Sequence, residues 1–333
     1  MELPVALKRA VDAALEGHAV ADLARAASTL SARYRAEVRD GAFHLAGDRA
    51  ALAYLATRLP ATYAAVRAAL ATVAEERPGF APETLLDVGA GPGTALWATS
   101  SQWPSCRKAL LVEGSASIRR WGEKLSASLT GEGGSDMCVV WQSQNIVGDA
   151  AGSSQPEQHD LVTMAYVLDE IEERDRDGLI ERLWARARDV LVIVEPGTPA
   201  GFRRVEAVRR QLIDAGGHIV APCPHELPCP VIAPDWCHFA QRVARSKMHR
   251  MVKGGDVPWE DEKYAFIAVS RTSGSDSDNL ASARILAPPR AGKGHISLKL
   301  CEADGSIVQR TVSRRDGDTY RIARRAGWGD SFP

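Results

Sequence analysis

The residues with the clearest chemistry in this 333-residue chain are three cysteines in a proline-rich segment. Cys223, Cys229 and Cys237 fall within fifteen positions, and the prolines beside the first two keep the backbone extended and stiff. A stiff segment of this kind helps several thiolates to converge on one point. Cys301, at the end of a strand-like run, could supply a fourth thiolate. The pattern favours a metal site over a nucleophilic cysteine or cysteines that only pack.

Two kinds of metal site fit these cysteines. Iron–sulfur clusters are held by four thiolates, and a proline often lies beside a ligand. Zinc sites usually contain closer cysteine pairs, but His225 and His238 leave a mixed thiolate and imidazole zinc site open. A nucleophile for cytosine-C5 methylation is disfavoured, because that cysteine should follow the fourth strand. The other two cysteines, Cys106 and Cys138, are expected to be small buried packing residues.

A second motif, three glycines at alternate positions, lies between a predicted strand and a predicted helix. Such glycines let a ligand approach the backbone, and the helix start presents unpaired N–H groups. The spacing is not that of dinucleotide enzymes, and no P-loop lysine follows. The acid before the glycines would attract the ammonium or sulfonium of S-adenosylmethionine, and an acid after the next strand can accept hydrogen bonds from ribose hydroxyls. The predicted S-adenosylmethionine site therefore consists of Asp87, Gly89, Gly91, Gly93 and Glu113.

No catalytic residue is assigned. The segment from Tyr166 to Glu170 follows the fourth predicted strand, and the Asn-Pro-Pro-Tyr box of adenine methyltransferases is absent. Asp169 and Glu170 could serve as bases for a methyl acceptor, but acids at such a place more often belong to the first turn of a helix. Cofactor binding and methyl transfer are therefore separate predictions.

Two basic clusters are candidates for contact with nucleic-acid phosphates. The alternative for each cluster is a solvated charged surface. The first cluster contains Arg242, Arg245, Lys247, Arg250 and Lys253, and the second contains Arg314, Arg315, Arg321, Arg324 and Arg325.

Short apolar runs separated by helix-length intervals must position these residues. The runs at 85–88, 109–113, 138–141, 160–164 and 190–195 predict a doubly wound parallel sheet, with loops at 130–136, 148–158 and 273–278. The predicted regions are helices over 1–80, a Rossmann-like core over 81–216, a cysteine-rich metal-binding insertion with the final core strand over 217–271, and a small β-rich part with a basic tail over 272–333.

Composition excludes several classes of protein. Hydrophobic residues make up 45% of the chain, which excludes disorder as the main state, and a net charge of −1 excludes a wholesale polycation. No apolar run approaches the length of a membrane span. The first twenty residues contain acids and lack a signal-peptide core or an organelle presequence. The chain is therefore interpreted as a bacterial cytoplasmic protein whose cysteines are reduced thiols or metal ligands rather than a disulfide framework.

Several motifs together resemble a known family. They are the glycine loop at 89–93, Tyr166–Glu170, the Glu-Pro-Gly-Thr-Pro-Ala-Gly stretch at 195–201, the Cys-Pro block at 222–230, Trp236–Phe239 and Trp328–Asp330. The chain is similar over roughly residues 50–333 to the methyltransferase-like family associated with the small ribosomal subunit, best known from mitochondria. The resemblance implies a class I S-adenosylmethionine-dependent methyltransferase fold and a [4Fe–4S] cluster on Cys223, Cys229, Cys237 and Cys301. It also implies contact with rRNA during small-subunit maturation.

The expected function is that of an assembly or maturation factor for the small ribosomal subunit. It would bind S-adenosylmethionine, hold a [4Fe–4S] cluster or zinc, and contact rRNA without contacting a membrane, as a monomer. Two alternatives stay open: a non-catalytic RNA-binding protein that keeps the fold as architecture, and a small-molecule methyltransferase.

Overall fold

A computed structural model describes residues 1–38, 40, 43–130, 136–143, 157–273 and 283–333. The three predicted loops at 130–136, 148–158 and 273–278 lie largely outside these residues.

Helices make up the N-terminal region and recur between the strands. The first two are amphipathic: α1, for example, buries Leu7, Val11 and Leu15 at four-residue spacing. The third is buried from Ala51 to Thr57 on all sides, as expected of a helix inside a core. The described helices are α1 (Val5–Leu15), α2 (Val20–Arg35), α3 (Asp48–Thr57), α4 (Leu59–Glu76), α5 (Thr94–Gln102), α6 (Ala116–Thr130), α7 (Glu173–Arg186), α8 (Pro199–Asp214), α9 (Lys247–Lys253) and α10 (Gly317–Ala323).

Eight of the described strands form the larger sheet. They are β1 (Thr84–Val88), β2 (Lys108–Val112), β3 (Cys138–Gln142), β4 (His159–Ala165), β5 (Ala187–Pro196), β6 (His218–Ala221), β7 (Phe239–Ala244) and β8 (Trp259–Ser270). Their order is β3-β2-β1-β4-β5-β8-β6, and β7 pairs with β8. The first strand is parallel to both neighbours, so that Asp87 lies opposite Leu111 and Thr163.

This topology confirms the predicted Rossmann-like methyltransferase fold. The chain order reverses between β1 and β4, and open α/β sheets bind ligands beyond the carboxyl ends of their strands at such a point. The five predicted strands of the parallel sheet are all present. Sequence reasoning missed β6 and β7, which are short and carry no long apolar run.

A smaller antiparallel sheet follows near the C-terminus. Its strands are β9 (Ala283–Ile285), β10 (Arg290–Gly292), β11 (His295–Glu302), β12 (Ile307–Ser313) and β13 (Ser331–Phe332). A hairpin joins β11 to β12, and Gly305 takes a positive φ of 80° in its turn. The core of this sheet includes Ile285, Leu298, Leu300 and Phe332.

The chain divides into two compact units. The first comprises Met1–Ala71, Phe80–Val192 and Gln241–Glu262, and it contains the glycine loop. The second comprises Thr72–Gly79, Ile193–Ala240 and Lys263–Pro333, and it contains the four candidate metal ligands. Within the described residues, no helix combines the length and apolar character that crossing a bilayer requires.

Candidate functional site

The three glycines form a tight turn between β1 and α5. Gly89, Gly91 and Gly93 have φ values of 72°, 54° and 82°, which L side chains rarely adopt. They differ in their surroundings. A Cβ on Gly89 would overlap Val167, whereas a Cβ on Gly91 would meet no atom of the described residues within 4 Å. Gly89 is therefore required for packing, and no residue in the described part of the chain fills the space beside Gly91.

Glu113 braces this loop from the end of β2. Its Oε2 accepts a hydrogen bond from the Gly91 amide at 2.8 Å, and its Oε1 accepts one from the Ser115 amide at 2.7 Å. The side chain is buried, and burial raises its pKa while the amide donors oppose that rise. A carboxylate has about four acceptor sites, and the amides of Gly91, Gly114 and Ser115 use three of them. The residue therefore shapes the loop and can still accept a hydrogen bond from a ligand hydroxyl.

Asp87 lies at the bottom of the same site. It is 2% exposed, and the Thr163 hydroxyl donates to its Oδ1 at 2.8 Å. Burial raises the pKa of Asp87 to about 7, and the neighbouring Glu113 adds to the rise. At neutral pH the group is thus a mixture of carboxyl and carboxylate, and a nearby cation would favour the charged form.

Trp141, at the end of β3, forms a wall beside the loop. Its ring packs against Gly93 and leaves no room for a side chain on Gly122. The indole N–H donates to the Ser126 hydroxyl at 3.2 Å. Sequence reasoning missed this residue, although an aromatic at the carboxyl end of a parallel strand is a usable signal.

A polar cluster follows β4 and was also missed. Tyr166 has a φ of 60°, which is unusual for a bulky residue, and its hydroxyl donates to Glu262 at 2.9 Å. Arg58 donates to the same carboxylate oxygen at 3.2 Å. These three residues are far apart in the sequence, so no local pattern could reveal the cluster.

Asp169 and Glu170 do not occupy the first turn of a helix. The helix α7 begins at Glu173, and its acidic first-turn residues are Glu173 and Asp175. Asp169 is 5% exposed, and the Glu170 amide donates to the Val167 carbonyl in a turn before the helix. Whether either acid acts as a base stays a prediction without a test.

The four predicted cysteines line one cavity. Cys223, Cys229, Cys237 and Cys301 border a space of about 40 Å³ together with His225, Arg209 and Arg284. Burial is the main cause that raises the pKa of Cys237 well above its usual range, and the other three thiols add to it. Burial likewise raises the pKa of Cys301 to about 12, and Cys223 and Cys229 contribute. The thiols are therefore near enough to influence one another.

The four cavity thiols are chemically suitable ligands for a metal bound by thiolates. In geometry, no group of three or more His, Cys, Asp or Glu side chains within the described ranges has the spacing of metal ligands. His225 is the nearest imidazole, with Nε2 at 3.4 Å from the sulfur of Cys301. His238 instead contacts the Trp236 carbonyl through Nδ1 at 3.1 Å.

Two buried arginines donate hydrogen bonds to the backbone of the loop that carries Cys223 and Cys229. Arg209 donates through Nη2 to the carbonyls of His225 and Leu227, at 2.9 and 2.7 Å, between the first two cysteines. Arg284 donates through Nε to the Pro222 carbonyl at 2.7 Å, directly before Cys223. Charged donors give strong hydrogen bonds, so these contacts fix a loop that has no regular secondary structure.

Aromatic contacts fix the third cysteine. The Trp236 indole donates to the Gly197 carbonyl at 2.9 Å. The Trp236 ring stacks on His238 at 4.9 Å, and the His238 ring meets Trp328 edge-on at 4.8 Å. Three motifs far apart in the sequence therefore meet around Cys237.

The two remaining cysteines differ from each other. Cys106 is 1% exposed, as predicted. The prediction that Cys138 is buried is wrong, because Cys138 is exposed at the start of β3, an edge strand whose burial alternates.

The two basic clusters have different surroundings. In the first, Arg242 pairs with Asp261 at 2.9 Å, and Arg245 and Lys253 pair with Glu260 at 2.7 and 3.2 Å. Lys247 and Arg250 form no ion pair with described residues. In the second cluster Arg321 pairs with Asp318. The exposed residues of that cluster that form no ion pair within the described part of the chain are Arg314, Arg315, Arg324 and Arg325.

The fold and its glycine loop define a methyltransferase-like protein with a four-cysteine cavity. The chain belongs to the family described as mitochondrial small ribosomal subunit Rsm22, whose model matches residues 48–333. It is 32% identical to the human mitochondrial ribosome assembly protein METTL17 over 295 residues, covering 85% of this chain and 62% of that protein. It is 23% identical to a mitochondrial Rsm22-cox11 tandem protein of Schizosaccharomyces pombe, covering 86% of this chain and 43% of that protein. The chain thus spans less than two thirds of the length of these curated relatives.

Solved structures of methyltransferases resemble the chain at low identity. Magnesium protoporphyrin IX methyltransferase from Synechocystis PCC 6803 with bound S-adenosylmethionine has a TM-score of 0.42 and 12% identity, covering 73% of this chain and 91% of that one. An O-methyltransferase family protein from Burkholderia thailandensis has a TM-score of 0.43 and 13% identity, covering 77% of this chain and 72% of that one.

One prediction from the sequence is contradicted by these comparisons. The chain was interpreted as a bacterial cytoplasmic protein because its first residues lack a presequence. The family and the curated relatives are described as mitochondrial. The interpretation of the chain as a bacterial cytoplasmic protein is therefore wrong.

Proposed function

We propose that this protein is an assembly factor for the small ribosomal subunit. The observation that carries the proposal is the family match, which spans the glycine loop and all four cavity cysteines in one chain. The human relative is named as a ribosome assembly protein. The expected partners are the small subunit and its rRNA.

The glycine loop supports a role in binding S-adenosylmethionine. Three features suit a ligand with ribose hydroxyls and positive charge: the space beside Gly91 that no described residue fills, the remaining acceptor capacity of Glu113 and the ionisable Asp87. When bound, the cofactor would supply an electrophilic methyl group. The residues of this chain would position it, and no acceptor or base is assigned.

Calorimetry with S-adenosylmethionine and S-adenosylhomocysteine tests this site. Gly91→Leu should abolish the binding heat, because its side chain would enter the open space. Gly17→Leu is the matched control, since Gly17 also has a positive φ, of 77°, and no described atom within 4 Å of its Cβ position, but lies after α1. Absence of binding heat in the unmodified protein at millimolar ligand would refute the cofactor proposal.

The four-cysteine cavity supports a metal centre, which we take to be a [4Fe–4S] cluster. Cys223, Cys229, Cys237 and Cys301 would hold it, and a cluster would join the loop to β11 and stabilise the second unit. Zinc is the alternative, and His225 would then be the first imidazole to consider.

Anaerobic purification followed by iron, zinc and acid-labile sulfide analysis distinguishes the metals. A brown protein with iron and sulfide in equal amounts supports the cluster. Colourless, zinc-loaded protein would refute iron but retain the ligands. Metal-free protein from anaerobic cells would refute the centre itself.

The second basic cluster is the better candidate for rRNA contact. Its exposed arginines can exchange water and counterions for phosphate, whereas most cations of the first cluster are already paired with acids. Co-sedimentation of the anaerobically purified protein with small subunits, over a range of salt concentrations, tests the partner. Failure to sediment at any salt concentration would contradict the assembly role.

A further inference from the structure

Arg209 is a feature of the four-cysteine cavity that its packing does not explain. The residue lies on α8, is 4% exposed and lines the cavity with all four thiols. It forms no ion pair with any residue that the structure describes. The other buried guanidinium of the cavity, Arg284, is paired with Glu76 at 2.6 Å. A buried cation without a counter-charge is strongly unfavourable.

Hydrogen bonds to described residues use only some of the N–H donors of the Arg209 guanidinium. Nη2 donates to two backbone carbonyls, and Nε is buried without an acceptor among the described residues. A neighbouring acid on the same helix, Glu206, also borders the cavity, but it lies within 3.7 Å of Arg210 instead. Among the described residues, therefore, no acid forms an ion pair with the Arg209 guanidinium in the cavity.

Metal centres with four thiolate ligands carry the complementary charge. Four thiolates outweigh the charge of a zinc ion or of an iron–sulfur core, so that the complete centre stays negative. Net charge and hydrogen bonds around the ligands are among the factors that tune such centres.

We propose that Arg209 is the counter-cation of the four-cysteine site, a positioning residue that acts through the thiolate ligands. This inference rests on the proposed metal centre. It assigns α8 a role in holding the metal although that helix carries no ligand. It also makes the site selective for centres that remain negative when complete.

Three variants test this role. Arg209→Gln removes the charge, Arg209→Lys keeps the charge but loses the forked donor geometry, and Arg203→Gln removes an exposed arginine from the same helix. The full chain is purified anaerobically, and bound metal is measured against increasing chelator. Arg209→Gln should lower metal affinity about 10–100-fold. Arg209→Lys should recover most of that loss, and Arg203→Gln should match the unmodified protein. If the metal is iron, Arg209→Gln should also make the reduction potential more negative.

The outcomes separate this inference from the proposal on which it rests. Metal-free unmodified protein would refute the metal centre. A metal-loaded protein whose Arg209→Gln variant holds metal equally well would overturn the counter-cation role. Equal losses in Arg209→Lys and Arg209→Gln would also overturn it, because loop bracing alone would then explain the effect. If Arg209→Gln does not fold, Arg209→Lys decides: metal affinity near that of the unmodified protein supports the role.

Discussion

The glycine-loop site and the four-cysteine site are built in different ways. The first forms at the carboxyl ends of neighbouring parallel strands, where the fold itself brings Asp87, Gly91 and Glu113 together. The second is collected from an irregular loop and a distant strand, and buried arginines and stacked aromatic rings hold it in shape. The sheet supplies most of the positions in the first site, with Glu113 bracing the loop. The second site depends on side-chain bracing and, by our proposal, on a metal.

Loss of a cavity cysteine should have the largest effect of the changes considered. A small effect would contradict the view that the second site depends on a metal. Cys229→Ser removes one proposed ligand, so bound metal should fall to near zero and the second unit should become protease-sensitive. The helices of the first unit should remain, as followed by circular dichroism. Cys138→Ser, at an exposed thiol, is the control and should change neither. Full metal content in Cys229→Ser would remove Cys229 from the ligand set.

Ionisation of Asp87 should have the next largest effect, as a change in the free energy of unfolding with pH. Its pKa is raised from 3.8 to about 7 in the folded protein, so the folded state binds the proton more tightly than the unfolded state. Its contribution to stability is therefore fully present below pH 4 and is lost as the pH rises to about 7. The loss should be on the order of 4 kcal/mol at most. Denaturant unfolding of Asp87→Asn should lack this part of the pH dependence. Parallel pH profiles for both proteins would show that Asp87 titrates normally.

Replacing Gly89 and Gly91 by alanine distinguishes a glycine required for packing from a glycine beside the proposed ligand site. Gly89→Ala should lower the free energy of unfolding by about 3 kcal/mol, because the new methyl group overlaps Val167 at a positive φ. Gly91→Ala should lower it by only about 1 kcal/mol, because the new methyl group would meet no described atom and the cost comes from the backbone conformation. Urea unfolding measures both. Equal losses would mean that the space beside Gly91 is filled in solution.

The same difference in construction explains what the sequence could predict. Apolar runs and glycine spacing are local signals, so the five strands, the loop and the acids at the strand ends were all recognisable. The four cysteines were recognised as residue types, but Arg209 and the Trp236–His238–Trp328 contacts depend on tertiary packing. Glu113 illustrates the limit within the predicted site: its position was foreseen, but its hydrogen bonds to Gly91 and Ser115 were not.

The sequence does not distinguish the two basic clusters, but the structure does, because most cations of the first cluster are paired with acids. Mutations in these clusters should give the smallest effect. Arg324→Ala and Arg325→Ala should each weaken RNA binding at every sequence and reduce the salt slope by about 1, because each removes one phosphate contact. Arg242→Ala should change affinity little, because Asp261 already neutralises that guanidinium. Filter binding of rRNA fragments across salt concentrations measures all three. A larger loss for Arg242→Ala than for Arg325→Ala would reverse the assignment, since it would mean that RNA displaces Asp261 and binds the paired cluster first.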